Sequence, residues 1–200
     1  MKNLTIVTGI WDLNRTNAGE GFKRPFSFYI DNFKKLLEVD IPMLIYIEKE
    51  YEHIVWEHRS KENTQVRIKE VSAFQAAFDF YDKIQEIRTD GKWANSAGWL
   101  PDSTQATLEM YNPMVMSKMF MLNDAVLWNP FVTEHFAWLD GGITSTVHPG
   151  YFTHDNVLEK SVPYLDKFFF LSFPYVGNDE IHGFPRPAMN QYCETGEVDY

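Results

Sequence analysis

Residues 4 to 15 read LTIVTGIWDLNR, and whether this run is a buried strand emptying into a polar loop decides the fold. Leu4 to Ile10 is rich in β-branched residues and ends in a glycine, which predicts a buried strand. The segment from Trp11 to Arg24 carries Asp12, Asn14, Arg15, Asn17, Gly19, Glu20 and Gly21, too many turn formers for a helix, and predicts a loop. After Pro25, FSFYIDNFKKLLEV has apolar residues at 26, 29, 30, 33, 36 and 37, a helical spacing. The order is strand, loop, helix.

The same alternation continues. PMLIYIE (42–48) and TQVRIKEV (64–71) predict the second and third strands, with YEHIVWEHR (51–59) as a short helix between them. A helix is expected over 74–88 and a longer one over 105–127, interrupted or begun afresh at Pro113. HFAWLDGGIT (135–144) then reads as a strand that ends on an acid and two glycines, and FFFLSF (168–173) as a final strand. The strands are apolar runs rather than alternations because parallel strands with helical crossovers are covered on both faces. An α/β fold follows, with a parallel sheet flanked by helices.

Composition fits this. Two hundred residues with 44% hydrophobic and 16% aromatic content suit a single globular domain over 1–200. The formal charge of −10 argues against a nucleic-acid backbone as the main partner, since such binding relies on Lys and Arg neutralising phosphates. A phosphorylated small molecule stays open if local cations or a metal ion supply positive charge. Cys193 is the only cysteine, so no intrachain disulfide forms. The amino terminus lacks a secretory core, no run is long enough to span a bilayer, and the expectation is a cytoplasmic protein without a transmembrane segment.

Open α/β sheets bind ligands beyond the carboxyl ends of their strands. Thr8-Gly9-Ile10-Trp11 and Asp140-Gly141-Gly142 are two such ends and should lie on one side. Asp140 supports two readings, a turn cap or a hard-cation ligand, with Gly141 and Gly142 letting a diphosphate approach the backbone. Mg²⁺ or Mn²⁺ can be held by one or two protein ligands when phosphates complete the shell. His148, His154 and His182 read as surface or turn residues in the first instance, with His182 best placed to reach the strand-end face. Lys118 either snorkels to the surface or points into the cleft toward a phosphate, as Arg15 and Arg24 could. Signatures for classical dinucleotide, P-loop, esterase and zincin sites are missing, Cys193 has no evident activating environment, and two-metal hydrolysis would need a denser carboxylate cluster.

The stretches TIVTGIWDLNR, PMLIYIE, VWEHR, YNPMVMSKMFMLNDA, HFAWLDGGIT and NDEIHGF together resemble the HtrL/YibB-like family of bacterial and viral proteins, which looks like glycosyltransferases of the GT-A fold. The resemblance implies a Rossmann-like, mixed and mostly parallel sheet flanked by helices, and transfer of a sugar from a UDP- or GDP-sugar to a carbohydrate acceptor. It implies a divalent ion, Mn²⁺ or Mg²⁺, on Asp140, with His182 as second ligand. It places Thr8, Gly9, Trp11, Arg15 and Lys118 around the nucleotide, with Gly141 and Gly142 at the diphosphate. Gly142 stands where the second acid of an Asp-x-Asp motif would be. Asp179 and Glu180, beside His182, are the candidate carboxylates for deprotonating the acceptor. The family pattern continues past residue 200, so a C-terminally shortened domain is expected. The alternative is a binding module that keeps the nucleotide-sugar or glycan site without turnover.

Overall fold

The computed structural model describes residues 3–76, 81–153, 162–164 and 167. The expected strand at 168–173 lies outside these residues. So do His154, Asp179, Glu180, His182 and Cys193.

Four strands form one sheet: β1 (Leu4–Ile10), β2 (Met43–Ile47), β3 (Thr64–Ile68) and β4 (His135–Asp140). Their order is β3-β2-β1-β4 and every pairing is parallel. The helices are α1 (Phe26–Leu37), α2 (Glu52–His58), α3 (Ala73–Ala76), α4 (Tyr81–Thr89), α5 (Gly91–Ala94), α6 (Thr104–Thr107), α7 (Tyr111–Trp128) and α8 (Gly150–Thr153). The expected Rossmann-like α/β fold is therefore present. All four described strands are parallel, in keeping with the mostly parallel sheet expected.

Both faces of the sheet are covered. Ile6, Ile10, Met43, Ile45 and Ile47 pack on Phe33, Leu36 and Leu37 of α1 and on Ile54 and Val55 of α2. Val7, Leu44 and Tyr46 pack on the other face against Phe74, Met121 and Ala125. Successive side chains of a strand alternate between faces, and β1 divides Ile6 from Val7 accordingly. Burial of this kind removes apolar area worth about 25 cal/mol per Å² from water, and it accounts for the unbroken apolar sequences of β1 and β2.

Two helical expectations are corrected. The 74–88 region holds α3 and α4 as separate helices. The 105–127 region breaks after α6, and α7 starts at Tyr111, ahead of Pro113. Pro113 thus falls in the first turn, where a missing N–H costs no intrahelical bond. At its other end α7 closes on Asn129, which adopts a left-handed conformation (φ 37°) and sends its N–H to the Ala125 carbonyl. The Asn129 side chain also bonds both backbone groups of Thr133, which aims the chain into β4.

Candidate functional site at the carboxyl ends of β1 and β4

From β1 the chain moves outward to β2 and β3, then returns to place β4 on the other side of β1. Neighbouring connections diverge at this switch point and leave a crevice beyond the strand ends. A cleft of about 310 Å³ lies there, within the range of small-molecule sites. Its walls come from Gly9 to Leu13 after β1, Asp140 to Ile143 after β4, the start of α1 and the start of α7.

Gly9 stands opposite Asp140 in the parallel register, so the two strand ends arrive together. A Cβ on Gly9 would lie 2.3 Å from the Trp11 ring and 2.8 Å from the Tyr46 carbonyl oxygen. The glycine lets Trp11 fold back onto its own strand. Trp11 is 7% exposed, stands edge-on to Phe74 and donates its indole N–H to the Lys69 carbonyl at 2.8 Å. It borders the cleft, but most of its surface is committed to the core.

Gly141 is also a packing glycine. Its Cβ direction meets the Gly9 carbonyl oxygen at 2.8 Å and Ile10 Cβ at 3.2 Å, so its small size seats β4 against β1. Gly142 faces the Tyr29 ring at 3.1 Å from Cδ1, a side chain able to move. Thr8 does not join the cleft lining, contrary to expectation. It is fully buried within the sheet, and its hydroxyl has no hydrogen-bond partner among the described residues.

The charged side chains do converge. Arg15, Arg24 and Lys118 line the cleft together with two carboxylates, Asp12 and Asp140. Lys118 points inward rather than to the surface. Its Nζ lies 2.7 Å from Asp140 Oδ1, and the same oxygen accepts the Trp138 indole N–H at 2.7 Å. Arg15 donates to the Tyr29 hydroxyl, and its guanidinium sits 5.3 Å from the centre of that ring. Its Nε is buried without a partner among the described residues. Burial raises the Tyr29 hydroxyl above the usual tyrosine range, against the opposing pull of Arg15. Asp12 Oδ1 accepts the Asn14 N–H at 2.8 Å, an Asx turn that shapes the loop. His148 keeps its turn role, with Nδ1 accepting the Gly150 N–H.

Tyr29 and Tyr111 line the cleft without having been singled out in the sequence. Tyr29 counts there only as one apolar position of α1. Tyr111 begins a face of α7 that continues through Met114, Val115 and Lys118, all in the lining, and this helical spacing is the one signal that could have found it.

Among the described residues the donor set is poor for the divalent ion that the resemblance implies, and His182, the implied second ligand, lies outside them. A hard cation needs several free oxygens. Here Asp140 Oδ1 already holds an ammonium and an indole N–H, Gly142 offers no side-chain oxygen, and Asp12 Oδ1 is engaged in its own turn. Among the described residues, no group of three or more His, Cys, Asp or Glu side chains is placed to hold a metal. Also among them, no helix is long and apolar enough to cross a membrane.

No curated protein and no solved structure matches the chain. The family model HtrL_YibB, described as a bacterial protein of unknown function, matches residues 2–166, which include all four strands and the whole lining of the cleft, and the chain belongs to that family.

Proposed function

We propose that the chain transfers a sugar from a nucleotide-diphosphate-sugar to a carbohydrate acceptor, with the donor seated in the cleft between the ends of β1 and β4. The observation that carries this reading is the convergence of Arg15, Arg24 and Lys118 in a switch-point crevice of a chain whose net charge is −10. Local charge outweighs the overall charge here. A unit charge about 4 Å from a phosphate oxygen contributes about 4 kcal/mol at an effective dielectric of 20, whereas exposed charges more than about 8 Å away are largely screened at physiological salt. With Lys118 offsetting Asp140, two guanidiniums remain against Asp12.

The first turns of α1 and α7 add to this. Phe26 and Tyr29 from one and Tyr111 from the other line the cleft, and neither first turn holds an acidic residue. The positive ends of both helix dipoles, at these first turns, favour an anion in the cleft. Phe26, Tyr29 and Tyr111 offer aromatic surface for a base or a sugar ring. In the transfer, the acceptor oxygen bonds to the anomeric carbon as the bond to the diphosphate breaks. That electron pair passes to the diphosphate, and the acceptor proton goes to a carboxylate. The cations stabilise the charge growing on the leaving group.

Calorimetric titration with UDP and GDP, with Mn²⁺ present, tests the site. One of the two should bind, and Arg15→Ala should weaken binding about tenfold or more, the effect of losing a charged hydrogen bond. If neither binds, the reading fails. Release of free sugar from the matching nucleotide-sugar then separates an enzyme from a module that only binds.

A further inference from the structure

Lys118 occupies an unusual place for a lysine on a helix whose sequence is almost entirely apolar. It projects from α7 on the same face as Tyr111, Met114 and Val115, toward the cleft. Its side chain is 22% exposed, while that of Asp140 is 56% exposed. An ion pair this open adds little to stability, so folding alone gives little reason for the lysine to be there. Asp140 is itself fixed by the Trp138 indole, one turn of the pleat back along β4. The carboxylate therefore acts as a bracket that holds the ammonium at the crevice. An ammonium has three donors, and the pair with Asp140 Oδ1 uses one, leaving two for a ligand.

We infer that Lys118 is the resident cation of this site: held by Asp140, it supplies at the diphosphate the positive charge that a divalent ion would otherwise bring, and nucleoside-diphosphate binding needs no divalent metal. The inference rests on the proposed function and gives Asp140 a different task. Asp140 positions an ammonium, and Arg15 and Arg24 on the opposite wall complete a binding set made of side chains. On the oxygen that holds Lys118 at 2.7 Å, a metal ion would meet the ammonium's repulsion at contact distance.

The experiment is titration of the full chain with UDP and GDP in excess EDTA and again with Mn²⁺, at matched ionic strength. The expected result is equal affinity in both conditions. In EDTA, Lys118→Met should weaken binding about tenfold to a hundredfold, the range for a lost hydrogen bond to a charged group. Lys118→Arg, which keeps the charge, should retain most of the affinity. Lys118→Gln serves as the second neutral variant if Lys118→Met lowers the folded fraction. Binding that appears only with Mn²⁺ overturns the inference and leaves the proposed function standing. Unchanged affinity in both neutral variants also overturns it. Absence of binding in both conditions overturns the proposed function along with it.

Discussion

The Thr8 hydroxyl is buried without a hydrogen-bond partner among the described residues, and an unsatisfied buried hydroxyl is costly. Thr8→Val keeps the shape and removes the polar atom. It should raise stability by about 1 kcal/mol in urea denaturation and leave nucleotide affinity unchanged, since Thr8 does not line the cleft. Asp140 could be placed at the crevice from sequence because a strand end fixes where its last residue lies. Thr8 could not be excluded in the same way, because its neighbour Gly9 lines the cleft and only the observed register shows which positions of β1 reach it. Lys118 was ambiguous for another reason. Its helix is apolar on nearly all sides, and Met116 and Met119 remain about half exposed, so no polar face marked a direction for the lysine.

At the scale of elements, Arg59 binds the α1–β2 connection to β3. Its guanidinium donates to the carbonyls of Leu37, Val39 and Ile41 at 2.7–2.8 Å, and its Nε donates to Thr64 Oγ1 at 2.7 Å. Burial lowers its pKa to about 10, so it remains charged at neutral pH. Arg59→Ala would leave three buried carbonyls without donors and should cost about 3 kcal/mol or more, read as a lower urea midpoint at unchanged slope. In sequence this arginine ends a short charged helix and looks like surface charge. The acceptors that draw it inward are backbone atoms of a connection some twenty positions earlier, and residue types do not announce backbone acceptors. β1 and β2 were legible because burial on both faces writes itself into composition, and α1 because its one buried face recurs at helical spacing. The break before α7 was harder to place, since Pro113 is compatible with the first turn of a helix as well as with an interruption.

Across the whole molecule, 28 acids face 18 cations, and one acid is bound into the joint between strand ends. Glu48, just after β2, accepts the backbone N–H of Asp12 from the loop after β1. Burial raises its carboxyl above the usual value of 4.5, with the Asp12 and Val71 backbone groups pulling the other way. A folded value above the unfolded one means that the folded state holds the proton more tightly. The associated stability is present below the unfolded value and is lost as pH rises through the folded one. Glu48→Gln removes that loss. Stability measured from about pH 4 to 7 should shift in favour of the variant just above 4.5 and then level off. This contribution is separate from the general repulsion among surface acids, which the substitution hardly alters.

The central position of β1 also has a practical meaning. The chain enters the sheet at Leu4, between β2 and β4, and the crevice opens at the opposite end of the same strand. Seven residues separate the two ends, or about 20 Å at the usual rise of a strand. A tether fixed ahead of Leu4 therefore leaves from the underside of the sheet, and protein immobilised by that handle on a sensor surface presents its cleft outward.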